Sequence, residues 1–252
     1  MIIPPLMLSG PILNISCYLF VSLPDADELR PRLEAHAQAL SLKGTVLIAE
    51  EGINLFLAGP ADDVRAWVAE LKRDARFEPL TPKESWSDVP PFQQLKVKVK
   101  PEIIRMNHPT IRPDLAPRSP ALPPATLVRW LDQGHDDEGR PVVMLDTRNG
   151  FEVDHGAFDG AIDWRLDKFS DFPAALAAHR DELVGKTVVS YCTGGIRCEK
   201  AAMVLAEHGV PAWQLDGGIL KYFEDTGGKH YHGSCFVFDD RRTLAADLSP
   251  TT

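Results

Sequence analysis

The sequence predicts two halves: an α+β half of the split β-α-β kind, then an α/β half whose parallel sheet carries helices on both faces. Three observations carry this reading. Strand and helix signals through the first hundred residues follow the order βαββαβ, the ferredoxin-like double split unit. The stretch Asn107 to Pro124 holds six of the chain's 21 prolines, which remove backbone donors and fix φ. Beyond it strands and helices alternate, the pattern of right-handed parallel crossovers.

Ile15 to Leu23 is apolar and aromatic and reads as the first strand. Asp25 to Leu40 places Leu29, Leu33, Ala37 and Leu40 at helical spacing, with Asp25 as N-cap and Gly44 closing the segment. Thr45–Ala49 and Ile53–Ala58 form a hairpin around the turn Glu50-Glu51-Gly52. Pro60 to Arg73 is a second helix, burying Val64, Trp67, Val68 and Leu71. Leu95–Val99 supplies the fourth strand. The proline-rich stretch reads as a stiff, extended linker without regular structure. In the second half, strands are expected at Val142–Thr147, Ala161–Leu166, Thr187–Tyr191 and Trp213–Asp216. Helices are expected at Ala125–Gln133, Asp171–Leu183, Cys198–His208 and Gly218–Glu224. Domain bounds follow: 13–106 a ferredoxin-like domain, 107–123 a linker, 124–226 an α/β domain, and 227–252 an extension whose last residues, from Thr243, are expected to be mobile.

The 252 residues carry a net charge of −9, which excludes non-specific coating of nucleic acid but allows one basic face. No apolar run is long enough to span a bilayer. The apolar start Met1–Leu8 lacks the basic region of an export signal and reads as an arm, so the four cysteines are expected as reduced thiols in the cytoplasm.

The most informative segment is Tyr191-Cys192-Thr193-Gly194-Gly195-Ile196-Arg197-Cys198. The β-branched run Thr187-Val188-Val189 leads in and a helical pattern leads out, so Cys192 stands at the carboxyl end of a buried strand, where ligands sit in such sheets. Loop amides and a helix N-terminus favour a thiolate there, and Arg197 adds a full charge. Thr193, Gly194, Gly195, Ile196 and Cys198 complete the anion cradle, with both glycines expected to supply φ > 0. Four residues separate Cys192 from Arg197, a ring fitted to one sulfur atom rather than a phosphate.

The loop Cys192-Thr193-Gly194-Gly195-Ile196-Arg197, the entry Asp146-Thr147-Arg148-Asn149 with Glu152 and Gly156-Ala157-Phe158, and the closing turn Leu215-Asp216-Gly217-Gly218 resemble rhodanese-like domains. Further segments narrow this: Lys43–Ala49, Glu51-Gly52-Ile53-Asn54, Val97 to Met106, Cys192 to Lys200, and Gly233-Ser234-Cys235-Phe236-Val237-Phe238-Asp239-Asp240-Arg241. They resemble the oxygen-dependent tRNA uridine hydroxylases, which convert the wobble uridine to 5-hydroxyuridine. The resemblance implies an acylphosphatase-like first domain, a rhodanese centre whose catalytic cysteine is Cys192 (able to carry a persulfide), O₂ as co-substrate, the tRNA anticodon arm as partner and a sulfur donor as a further one. No flavin, haem or iron signature accompanies it.

Arg197 is the second candidate catalytic residue, stabilising a sulfur anion or pinning the loop through a carboxylate. Cys198 is either a resolving thiol or a packed one, carried away from the loop by its helix. Asp146 and Arg148 read as an ion pair with Glu152, with Arg148 also able to face substrate. Lys96, Lys98 and Lys100 alternate with apolar residues and share one strand face. With Arg105, His108, Arg112 and Arg118 they form a candidate RNA stripe. Trp86, Phe92 and Trp164 are core residues or stacking partners. The histidines near Cys235 lack the spacing of a zinc site, so no metal is expected. A thiosulfate or persulfide sulfurtransferase is the rival activity, and a non-catalytic docking shell the third reading. Oligomeric state is not legible.

Overall fold

The structure is a computed structural model that describes residues 11–251, so the expected arm at Met1–Leu8 lies outside the described residues. The first half runs β1 (Ile12–Phe20), α1 (Ala26–Ala39), β2 (Lys43–Ala49), β3 (Gly52–Gly59), α2 (Ala61–Leu71), β4 (Lys83–Ser87) and β5 (Leu95–Val99). Its five-stranded sheet has the order β4-β1-β3-β2-β5. Both helices cover one face. Leu29, Leu33 and Ala37 from α1 and Val64, Trp67 and Leu71 from α2 pack on Leu13, Ile15, Val46, Ile48 and Leu55. Trp67 is fully buried and donates its indole N–H to the Leu33 carbonyl, so its one polar atom is satisfied inside the core.

Three expectations change here. The fourth ferredoxin strand is Lys83–Ser87, antiparallel to β1, whereas Leu95–Val99 is a fifth strand parallel to β2. Lys-Glu-Ser-Trp-Ser carries no aliphatic alternation because it is an edge strand, held through backbone pairing. Asp25 precedes α1 but does not cap it: its carboxylate is forked to Arg76. Gly44 lies inside β2 rather than after a helix, at φ +132° with the Phe56 carbonyl where a Cβ would stand.

The linker expectation is also corrected. Pro113–Leu115 makes a 3₁₀ turn, and β6 (Ala121–Leu122) joins the second sheet beside residues 212–215. Its prolines start or flank these elements rather than interrupt them. Ile111 and Met106 are buried in the second half's core, so the segment is laid against that domain.

The second half continues α3 (Pro124–Gln133), β7 (Val142–Asp146), α4 (Gly150–Val153), β8 (Gly156–Phe158), α5 (Phe172–His179), β9 (Thr187–Tyr191), α6 (Ile196–Glu207), β10 (Ala212–Leu215) and α7 (Gly218–Thr226). Its four-stranded sheet, β6-β10-β9-β7, is wholly parallel. One core cluster joins α5 and α6 to the sheet, and another joins α3 and α7. Ala161–Leu166 is not a strand: it touches β7 and the following loop only at isolated bridges, Leu145–Ile162 and Asn149–Leu166. The pairing strand is instead β8, which takes β11 (Tyr231–Gly233) antiparallel. Finally β12 (Cys235–Phe236) pairs with β13 (Thr243–Leu244). The segment expected to be mobile is therefore built in: Leu244 is buried and Thr251 N–H donates to the Thr243 carbonyl. Among the described residues no helix is long and apolar enough to cross a membrane.

Candidate active site

β9 is buried along its whole length, and Cys192 follows it directly. The chain then turns at Gly195, whose φ of +99° only glycine adopts freely, and enters α6 at Ile196, two residues earlier than expected. Gly194 has no positive φ, so only one of the two glycines is conformationally demanded. Gly195 N–H donates to Cys192 Sγ at 3.1 Å. The sulfur thus stands where a capping side chain would, at the positive end of a 12-residue helix.

Burial alone would raise the Cys192 thiol. A hydrogen bond from Cys198, the Arg197 charge and the main-chain N–H groups of Arg197 and Gly195 outweigh it and bring the thiol down to about 5. Cys198 shows the converse: burial and the neighbouring thiolate hold it well above its ordinary value. The helix does not carry Cys198 away, because α6 starts early enough to leave it in the first turn, facing Cys192 and Thr147 Oγ1 (3.8 Å). For Cys17 and Cys235 burial wins, pushing both up to about 12. All four cysteines are free.

Arg197 is buried and forked on Glu152 at 2.6 and 2.8 Å, and Glu152 also accepts the Asn149 N–H. The pin to a carboxylate and the field at the sulfur are therefore one arrangement. Glu152 does not join Asp146 and Arg148. Those two make their own fork with no exposed surface, and Arg148 also donates to the Gly156 carbonyl. Arg148 cannot meet RNA; it fixes the loop after β7, and a charge pair this deep holds because each guanidinium nitrogen has an acceptor: Asp146, the Gly156 carbonyl or the Tyr231 hydroxyl.

Cys192 has no solvent-exposed surface, yet it lines a cavity of about 900 Å³ between the two halves. One wall is the helix-free face of the first sheet. In register across it lie Lys83, Ser16, Phe56, Thr45 and Lys96, then Tyr18, Asn54, Leu47 and Lys98. The opposite wall is the cysteine loop, and Val237, Phe238 and Leu248 of the C-terminal segment line it as well. The halves are tied at three points around the loop. Lys83 Nζ donates to the Gly194 carbonyl at 2.9 Å. Tyr18 donates to Glu199 at 3.2 Å. Lys200, 1% exposed, pairs with Glu51 at 2.9 Å and Glu102 at 2.6 Å. Arg241 extends the contact from the C-terminal segment to Ser85 of β4.

Of the RNA stripe, Lys96, Lys98 and Lys100 are exposed as the alternation predicts, with Val97 buried between them; Lys100 and the exposed Arg105 also line the cavity. Arg112 is spent on Asp114 and Glu50, and Arg118 on Glu199. Phe92 lines the cavity and Trp86 is exposed, but Trp164 is packed between Phe172 and His179. Sequence reasoning missed Lys83, Tyr18, Glu199 and Lys200. Only Glu199 and Lys200 carried a signal, as charged residues on the buried first turn of α6.

Comparison with known proteins agrees with this architecture. Residues 12–103 match the UPF0176 acylphosphatase like domain and residues 127–225 the Rhodanese-like domain. Curated relatives named "tRNA uridine(34) hydroxylase" include one from Delftia acidovorans, 64% identical over 95% of this chain and 91% of its own length. One from Variovorax paradoxus is 62% identical (94% and 90%), and one from Bordetella petrii 60% identical (95% and 95%). A solved Saccharomyces cerevisiae homolog of single-domain rhodanese and the Cdc25 phosphatase catalytic domain overlaps 44% of this chain and 84% of its own, at 20% identity and a TM-score of 0.38.

Proposed function

The chain belongs to the tRNA uridine(34) hydroxylase family, and from that premise we propose that it oxidises C5 of the wobble uridine of tRNA, giving 5-hydroxyuridine with O₂ as co-substrate. Its carrying observation is a thiol that accepts the Gly195 N–H at a helix N-terminus, on the wall of a cavity that both domains enclose. Chemistry on a base requires the base to leave the stack, and a cavity of this size accepts one nucleotide rather than a helix. Lys96, Lys98, Lys100 and Arg105, on the cavity side of the first domain, meet the phosphates of the anticodon arm.

The C5–C6 double bond of uracil is polarised by the C4 carbonyl. A thiolate directed at C6 pushes electron density to C5, the atom to be oxidised, and Cys192 is held in the form this needs at neutral pH. The net change is uridine + O₂ + 2 e⁻ + 2 H⁺ → 5-hydroxyuridine + H₂O, the electron pair coming from an external two-electron reductant; once C5 carries oxygen it loses its proton, the C6–S bond breaks, and the Cys192 thiolate returns. Arg197 keeps the loop in place and its charge at the sulfur. Cys192→Ala should abolish 5-hydroxyuridine in tRNA of a deletion host, read by nucleoside mass spectrometry. An unchanged nucleoside profile rejects the mechanism, and strong thiosulfate:cyanide activity without any tRNA effect would support the sulfurtransferase instead.

A further inference from the structure

Asn54 ends the Glu51-Gly52-Ile53-Asn54 motif and has no part in the cysteine chemistry. It stands in β3 on the helix-free face, with Tyr18 opposite on one side and Leu47 on the other. Only 8% of it is exposed, and it lines the cavity that Cys192 lines. Its Nδ2 donates to the Ile103 carbonyl at 3.2 Å. That bond fixes the amide, since the reverse orientation would set two oxygens against each other. Asn54 Oδ1 is therefore turned away from Ile103, and no donor among the described residues engages it. The Asn14 Oδ1, also without a partner, is sealed from solvent; Asn54 Oδ1 is not among the sealed atoms and so opens on the cavity. A fixed acceptor that opens on the cavity offers a ligand donor a defined partner.

We infer that Asn54 Oδ1 accepts the N3–H of the uracil in this cavity and so sets the enzyme's choice of uridine over cytidine. The inference rests on the function proposed above. Uracil presents a proton at N3, and cytosine presents a lone pair there, which a fixed acceptor repels. The ring geometry agrees. N3 lies across the pyrimidine from C6, so a base held at N3 by the sheet wall turns its C5–C6 edge to the opposite wall, which carries Cys192. The two walls meet nearby: Tyr18, paired with Asn54, has its hydroxyl 3.0 Å from where a Cβ on Gly195 would stand.

The test uses the full chain and anticodon stem-loop RNAs bearing uridine, cytidine or 3-methyluridine at the target position, with binding read by fluorescence anisotropy. Wild type should hold the uridine RNA about 10-fold or more above the other two, the worth of one hydrogen bond to a buried acceptor. Asn54→Leu should bring the uridine RNA down to the level of the 3-methyluridine RNA while leaving that RNA's own affinity unchanged. Should the leucine variant fail to fold, Asn54→Ala removes the acceptor without added bulk and reads the same ratio. A variant that keeps the wild-type preference, or weakens all three RNAs equally, overturns the assignment. Wild type that binds the three RNAs alike overturns it too and leaves the proposed function standing. Wild type that binds none of them overturns the proposed function itself.

Discussion

Replacing Cys198 by alanine removes one donor from the Cys192 sulfur and touches nothing else that sets its charge. A hydrogen bond to an ionised acceptor is worth about 1.5–3 kcal/mol. At about 1.4 kcal/mol per pH unit, the Cys192 midpoint should climb from about 5 to roughly 6–7. The measurement is clean because the other thiols stay silent: Cys17 and Cys235 stand at about 12. Thiolate absorbance, followed with pH in the wild type and in Cys198→Ala, therefore reports Cys192 alone. Stability carries the same signature. A thiol lowered on folding stabilises the protein fully above its unfolded value near 9 and loses that contribution as pH falls through the folded one. Beyond a constant packing cost, the gap between the wild-type and variant stability curves should open from about pH 5 to about pH 7 and then stay level. An unmoved midpoint would show that Cys198 does not donate; a wild-type midpoint near 9 would refute the whole cradle.

Lys83→Met should raise the Cys192 midpoint as well, by removing a nearby charge and the clamp on Gly194, and Lys83→Arg should restore part of it; the same absorbance titration checks both. Lys200→Met leaves Glu51 and Glu102 facing each other unpaired in the interface, and urea unfolding should show a loss of about 3–5 kcal/mol. Glu102 is lowered by its bond to Lys200 despite burial, so its contribution is present above its ordinary value of 4.5 and lost as pH falls through the depressed one; the variant's deficit should shrink in acid. Gly195→Ala forces a side chain into a left-handed position 3.0 Å from the Tyr18 hydroxyl, and should cost about 1–3 kcal/mol in thermal unfolding together with the low thiol midpoint. Lys96→Glu with Lys98→Glu should weaken RNA binding across sequences and flatten its salt dependence, by about one unit of log–log slope for each phosphate no longer neutralised, without moving the melting temperature appreciably.

Elements whose residues face a core were legible. β9 matched residue for residue, because the β-branched run Thr187-Val188-Val189 is a local strand signal that stops at the glycine loop. Lys83–Ser87 was invisible because an edge strand at the rim of a cavity needs backbone partners rather than aliphatic residues. The register of Ala161–Leu166 failed for the opposite reason: its apolar residues pack against the core without joining a ladder. At the site, Cys192 and its loop could be read because strand end, glycine and helix start are local features. What lies across from them could not. Lys83 is 111 residues away from the Gly194 carbonyl it grips, and Glu102 lies 98 residues from Lys200. Arg148 was misassigned because a sequence cannot tell an arginine at a strand end that faces solvent from one folded back on its own aspartate.

The sulfur belongs to one half of the molecule, while the surface that confronts it belongs to the other. Neither half, cut out and purified, would carry the complete cavity: the rhodanese piece would keep its lowered thiol but lose the lysine that braces the loop, and the first piece would keep one bare wall. Grafting this thiol-bearing module behind an unrelated partner should therefore transfer the lowered thiol without the wall that faces it. Any engineered hybrid would have to bring Tyr18, Asn54 and Lys83 along as a set.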